Sequence, residues 1–198
     1  MATMVNQIIS SDFATLVNQI GKCTLCDLPM GPKPVIQVSK NARILIVGQA
    51  PGIRVHESGI PFNDPSGDRL RQWLGMTPDQ FYDKNKVAIV PMGFCYPGTG
   101  KNGDLPPRPL CADTWRRHLL DQLTKVELTV VIGKYAQEWH LDSPSSAVTV
   151  IVKNWRDLAP TIIPLPHPSP RNNRWLKTNP WFEAEVLPYL RNRVSTIL

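Results

Sequence analysis

Residues 43–48 read RILIVG and run straight into QAPG at 49–52. Four consecutive apolar residues between a cation and a glycine leave no polar face. A strand of this kind is buried on both sides, the pattern of a parallel sheet. Three further stretches read the same way: KVAIVP at 86–91, ELTVVIG at 127–133 and the shorter TIIP at 161–164. Between them lie segments with helical spacing. Residues 11–20 put Phe13, Leu16, Val17 and Ile20 on one face, with Ser11 as the expected N-cap. Residues 67–74 do so with Leu70, Trp73 and Leu74, with Ser66 as the expected N-cap. Further helices are expected over 111–123, 134–140 and, after Pro180, 181–189. This alternation predicts an α/β protein, a three-layer α/β/α sandwich around a four-stranded, mostly parallel sheet, in a single domain over 1–198. In that architecture ligands bind beyond the carboxyl ends of the strands.

The composition narrows the class. The chain has 198 residues, 42% of them apolar and only 19% charged, enough for a buried core and too little charge for a disordered polyelectrolyte. Its longest apolar runs fall far short of the roughly 20 residues a membrane-spanning helix needs. Residues 1–20 lack the basic and apolar regions of a secretory leader, so a cytoplasmic protein with reduced thiols is expected. Lys and Arg exceed Asp and Glu by 22 to 16, a net charge of +6. Such a balance suits a polyanionic partner, and a mildly basic protein without one is the alternative. Nothing in the pattern demands more than a monomer.

The four cysteines are Cys23, Cys26, Cys95 and Cys111. The first two form a C-x2-C pair; the other two lie far downstream. Four thiolates could hold one zinc ion or one iron–sulfur cluster. A redox pair and four unrelated buried thiols are the competing readings.

Two loops after the strands concentrate the chemistry. Gly48, Gln49, Ala50, Pro51 and Gly52 open a long loop that continues IRVHESGIPFNDPSG through 67. Loops of this length in a compact domain are usually functional. No Walker lysine follows, and the glycine spacing is not that of a dinucleotide fold. The fourth strand runs into Pro166-His167-Pro168-Ser169-Pro170-Arg171-Asn172. Prolines on both sides of His167 restrict its backbone, as suits an oriented hydrogen-bond donor. Arg174, Trp175 and Lys177 then mix cations with an aromatic ring, a combination that suits phosphates and unstacked bases.

GQAPG at 48–52 together with HPSP at 167–170 resembles the two active-site motifs of the uracil-DNA glycosylase superfamily. Gly59-Ile60-Pro61-Phe62 falls at the spacing of its family-4, iron–sulfur type, and the four cysteines match that type's pattern. The resemblance implies hydrolysis of the N-glycosidic bond of a damaged base flipped out of single- or double-stranded DNA. It also implies a [4Fe-4S] cluster on Cys23, Cys26, Cys95 and Cys111, with zinc or no metal as alternatives. By the same resemblance His167 donates to the base carbonyl oxygen and Phe62 stacks on the base. Gly48, Gln49, Ala50, Pro51, Gly52 and Ser169 line the base site. Arg171, Asn172 and Arg174 grip the DNA.

The sequence also departs from the family pattern. Val55-His56 stand where an acidic pair is expected, and Glu57 follows one place later. Asp64, in Asp64-Pro65-Ser66-Gly67, resembles the D-x-S-G of the family-5 type, so Asp64 is the first candidate for positioning water and Glu57 the second. Asp64 suits equally a structural cap. Pro91 stands four residues before Cys95, where family 4 carries an Asn that reads the base edge. Proline has no side-chain amide and no N–H. Strict uracil selectivity is therefore not expected, and a noncatalytic module that binds damaged DNA or a nucleotide is the alternative from another class.

Overall fold

The computed structural model describes residues 10–101, 103–141 and 147–198. Residues 1–9, part of the stretch from which no leader is expected, lie outside them. In chain order the described elements are α1 (Phe13–Gly21), β1 (Ile44–Val47), α2 (Ile53–Ser58), α3 (Pro65–Leu74), α4 (Pro78–Tyr82) and β2 (Val87–Ile89). A small hairpin follows, β3 (Thr99–Gly100) with β4 (Gly103–Asp104), and then a π-helical turn, Ala112–Arg116, leading into α5 (Arg117–Leu120). The rest is β5 (Leu128–Ile132), α6 (Gly133–His140), α7 (Val148–Lys153), β6 (Ile162–Leu165), α8 (Asn173–Thr178) and α9 (Leu187–Ile197).

All four expected strands form, and they pair in parallel in the order β2-β1-β5-β6. The apolar runs are explained by what covers the sheet. Ile44, Ile46, Val87, Ile89, Val130 and Ile132 pack with Leu70 and Trp73 of α3 and with Leu190 and Val194 of α9. The alternate residues Leu45, Val47, Ala88, Val90 and Val131 face the other way, toward Leu16 and Ile20 of α1, Leu119 of α5 and Ala136 of α6. Period two is present, but both faces are apolar, so it is hidden in the sequence. Each of the Val, Leu and Ile side chains contributes about 1.5–3 kcal/mol by leaving water. Pro164 sits in β6, an edge strand, where a missing N–H is tolerated.

Two expected caps are corrected. Asp12, not Ser11, caps α1, its carboxylate accepting from Thr15 N at 2.9 Å. Asp64, not Ser66, caps α3, accepting from Gly67 N at 2.8 Å. The helix expected from 111 opens with a π-turn, and so does the one expected from 181. Among the described residues, no helix is long and apolar enough to cross a membrane.

The chain leaves β1 toward β2 on one side and later returns to β5 on the other. This reversal is a topological switch point, where the loops beyond the strand ends diverge and leave a crevice.

Candidate active site

The crevice is a cavity of about 460 Å3. Its wall includes Gly48, Gln49, Ala50, Pro51 and Gly52 from the loop after β1, with Pro61, Phe62, Asp64 and Ser66 further along. His167, Ser169, Arg171 and Asn172 enter from the loop after β6, more than a hundred residues away in sequence.

Phe62 is held in an unusual backbone. Its φ is 54°, a left-handed conformation that costs a non-glycine residue about 1–3 kcal/mol. The surroundings fix it. Arg71 Nη1 donates to the Phe62 carbonyl at 3.3 Å and the Tyr82 hydroxyl donates to it at 3.4 Å. The helix α3 passes directly beneath. A β-carbon at Gly67 would lie 2.6 Å from the Phe62 carbonyl carbon and 2.8 Å from its β-carbon, so only glycine fits. The ring itself covers Gly48, where a β-carbon would meet Phe62 Cζ at 3.2 Å. Phe81 meets the ring edge-on, with centroids 6.2 Å apart.

His167 is fixed from its own loop. Ser169 N donates to His167 Nδ1 at 3.2 Å, and Asn172 Nδ2 donates to the His167 carbonyl at 2.7 Å. Burial holds the imidazole below its usual pKa range, with Asp64 pulling weakly the other way. The ring is therefore neutral near pH 7. Since Nδ1 accepts a hydrogen bond, the proton resides on Nε2. A neutral, oriented N–H donor results, the type of group that stabilises an oxygen gaining negative charge.

Not every expected site residue joins the cavity. Glu57 is exposed on α2 and is not part of its wall; its carbonyl accepts from Lys33 Nζ at 3.1 Å. That removes it from the water-positioning role. Arg174 is likewise exposed on α8, outside the cavity. Asn172 lines the cavity, but its amide is engaged by the His167 carbonyl. The Ser169 hydroxyl caps the turn Pro170–Asn172, accepting from Arg171 N at 3.2 Å. Asp64 does both things its motif suggested: it caps α3 and lines the cavity.

Sequence reasoning missed Asp104 and Leu105, which close the cavity from the β3–β4 hairpin, and Val35 and Ile89 behind them. Burial raises the Asp104 carboxyl above its ordinary range; Arg171 opposes the shift and Asp64 adds to it. A run of Gly and turn residues at 98–104 was the only signal for such a hairpin. Pro91 is buried in the cavity wall, as expected from its position after β2.

The four cysteines lie near enough to act on one another electrostatically. Cys95 senses Cys111, Cys23 and Cys26, each of which discourages its ionisation, and burial pushes its thiol up to about 12. Burial likewise raises Cys111 to about 11. Burial and the neighbouring Cys23 likewise raise the Cys26 thiol, while Arg108 and Cys111 oppose the shift. Trp115 Nε1 donates to Cys23 Sγ at 3.3 Å. Among the described residues, no group of three or more His, Cys, Asp or Glu is placed so that it could hold a metal ion. All four cysteines offer sulfur, the donor type that soft thiolate-bound centres use. Arg116, fully buried in the π-turn, ties this region to the cavity. Its Nη1 donates to the Val90 and Pro91 carbonyls at 2.6 and 2.8 Å. Its Nη2 is 2.8 Å from His140 Nε2, whose ring burial and Arg116 keep neutral, down to about 3.

The pattern of the uracil DNA glycosylase superfamily matches residues 35–191. Among solved structures, the solution NMR structure of a candidate uracil DNA glycosylase from Methanosarcina acetivorans is similar at 18% identity. The match covers 80% of this chain and 94% of that one, with a TM-score of 0.47. The matched span contains every cavity residue from Val35 to Asn172 and begins after Cys23 and Cys26. By that match the chain belongs to the uracil DNA glycosylase superfamily.

Proposed function

We propose that the protein is a DNA glycosylase that hydrolyses the N-glycosidic bond of uracil or a related damaged base in DNA. The observation that carries this is that one cavity is lined by both Phe62 and His167, with His167 Nδ1 accepting from Ser169 N and so leaving Nε2 to donate. A base inside a duplex cannot reach such a cavity, so the nucleotide rotates out of the stack. Phe62 stacks on its face. His167 Nε2 donates to the carbonyl oxygen that gains charge as the bond breaks, and backbone N–H groups near Gln49 and Ala50 assist. The base departs as an anion and leaves an oxocarbenium-like sugar that water captures. Asp64, beside His167, favours that cationic sugar electrostatically. Arg171, in the cavity wall, and Arg174, exposed beyond it, would contact the phosphates, and the +6 charge supports binding to DNA. The protein acts as a monomer in the cytoplasm.

The base edge meets Pro91 and the apolar Ile89 and Val35, with no amide from Pro91 to separate uracil from similar rings. Relaxed selectivity follows, because discrimination rests on paired polar groups. Single-turnover assays on oligonucleotides carrying U·G, U·A, single-stranded U and hypoxanthine test the proposal. Release of free base from more than one of them is expected. Release from none would leave a noncatalytic binding module on the same fold.

Cys23, Cys26, Cys95 and Cys111 would hold a [4Fe-4S] cluster. When bound, the cluster supplies a structural cross-link between the start of the chain and the loop after β2, since hydrolysis moves no electrons. Anaerobically prepared protein is expected to be brown, with iron and acid-labile sulfide in equal amounts. A colourless preparation containing zinc, or no metal, contradicts the cluster.

A further inference from the structure

The cavity holds two carboxylates, and their surroundings differ. Asp64 is committed: its Oδ1 accepts from Gly67 N at 2.8 Å as the cap of α3. Asp104 comes from a different element, the two-residue strand β4, which pairs antiparallel with β3. Leu105 N donates to the Gly98 carbonyl at 2.8 Å and closes the hairpin. Asp104 Oδ2 lies against Gly52, 3.4 Å from where a β-carbon would stand. The hairpin also touches the loop after β6, since a β-carbon at Gly103 would collide with the Arg171 guanidinium. Arg171 and Asp64 are charged groups that act on Asp104, Arg171 favouring its ionised form and Asp64 opposing it.

A base stacked on Phe62 and bonded to His167 fills the interior. Asp104 lines the same cavity yet is itself exposed, so it lies on the solvent side, where a sugar joined to the DNA backbone has to remain. The His167 proton is on Nε2 and is used on the base, so His167 cannot also take a proton from water. The Ser169 hydroxyl is engaged by Arg171 N.

We infer that Asp104 is a catalytic carboxylate of this cavity, positioning the water that attacks the sugar and accepting its proton. The inference rests on the glycosylase reading given above. In the step, the C1′–N bond breaks first, and the water oxygen then forms a bond to C1′ of the oxocarbenium-like sugar. The bonding pair leaves with the base, whose anion His167 stabilises, and one water proton passes to Asp104. The products are an abasic sugar and a base that takes its proton from solvent.

Asp104→Asn and Asp64→Asn discriminate between the carboxylates, because Asn caps a helix as well as Asp does. Asp104→Asn is expected to lower the single-turnover rate about 10²-fold, within the range for general bases, and Asp64→Asn by less than that. A binding probe works without turnover. An oligonucleotide with a pyrrolidine in place of the target sugar carries the positive charge of the oxocarbenium ion; one with a tetrahydrofuran does not. Wild type is expected to prefer the pyrrolidine oligonucleotide at least 10-fold, and Asp104→Asn to cut that preference to less than 3-fold with tetrahydrofuran binding retained. An active wild type with Asp104→Asn at more than half its rate, or with the cation preference intact, overturns this inference alone. A larger loss in Asp64→Asn than in Asp104→Asn also overturns it. Wild type that releases no base and shows no cation preference overturns both this inference and the glycosylase reading.

Discussion

Replacing His167 with alanine is expected to lower the rate of base release about 10²–10³-fold, with substrate binding changed far less. The magnitude is that of removing one oriented donor from a site where negative charge develops in the transition state. The donor is prepared in advance. Ser169 N occupies Nδ1, Asn172 Nδ2 holds the backbone, and burial keeps the ring uncharged. The same arrangement sets the pH behaviour. A free imidazole is half protonated near pH 6.5. His167 lies below that value in the folded protein, so it retains the competent neutral form at pH 6.5 and loses it only at lower pH. Protonation would also place a hydrogen on Nδ1 facing Ser169 N, removing the bond that orients the ring. Single-turnover rates at pH 6.5 and 8 should therefore agree within about 2-fold. A His167→Ala variant with unimpaired release, or a wild-type rate already halved at pH 6.5, would count against the assigned role.

Gly67→Ala is expected to abolish activity and lower the melting temperature by about 5–10 °C. The position tolerates no β-carbon, because Phe62 carbonyl and β-carbon atoms occupy the space. Overpacking of this kind costs roughly 1–3 kcal/mol, and each kcal/mol is worth about 2–4 °C in a chain of this size. Function suffers more than stability. The added methyl pushes against the residue whose left-handed backbone aims the stacking ring, and Gly67 N is also the donor to Asp64. Thermal melts and base-release assays on the same preparation separate the two effects. A Gly67→Ala variant that melts with wild type and keeps its rate would show that Phe62 is not held as described.

The strands could be read from the sequence because both faces of the sheet are covered: RILIVG and ELTVVIG admit no other burial. Element ends were harder, since Ser11 and Asp12 are both good caps and only the backbone turn selects Asp12. The short helices α2, α4 and α8 hide in stretches rich in Gly, Pro and polar residues, where two turns carry too little periodicity to register. Within the site, His167, Phe62 and Asp64 were legible because proline and glycine punctuate the loops that carry them. Asp104 was not, because two-residue strands leave no pattern and the hairpin's place at the cavity mouth arises from tertiary packing. Glu57 was misassigned by its proximity in sequence to the first loop. One turn of α2 is enough to carry it out to solvent.

A crystal structure with an oligonucleotide containing 2′-fluoro-2′-deoxyuridine, whose glycosidic bond resists cleavage, tests the central claim most directly. The uracil ring should lie face to face with Phe62, one of its carbonyl oxygens within hydrogen-bonding distance of His167 Nε2. A nucleotide left in the stack, or a ring bound away from both side chains, would contradict it.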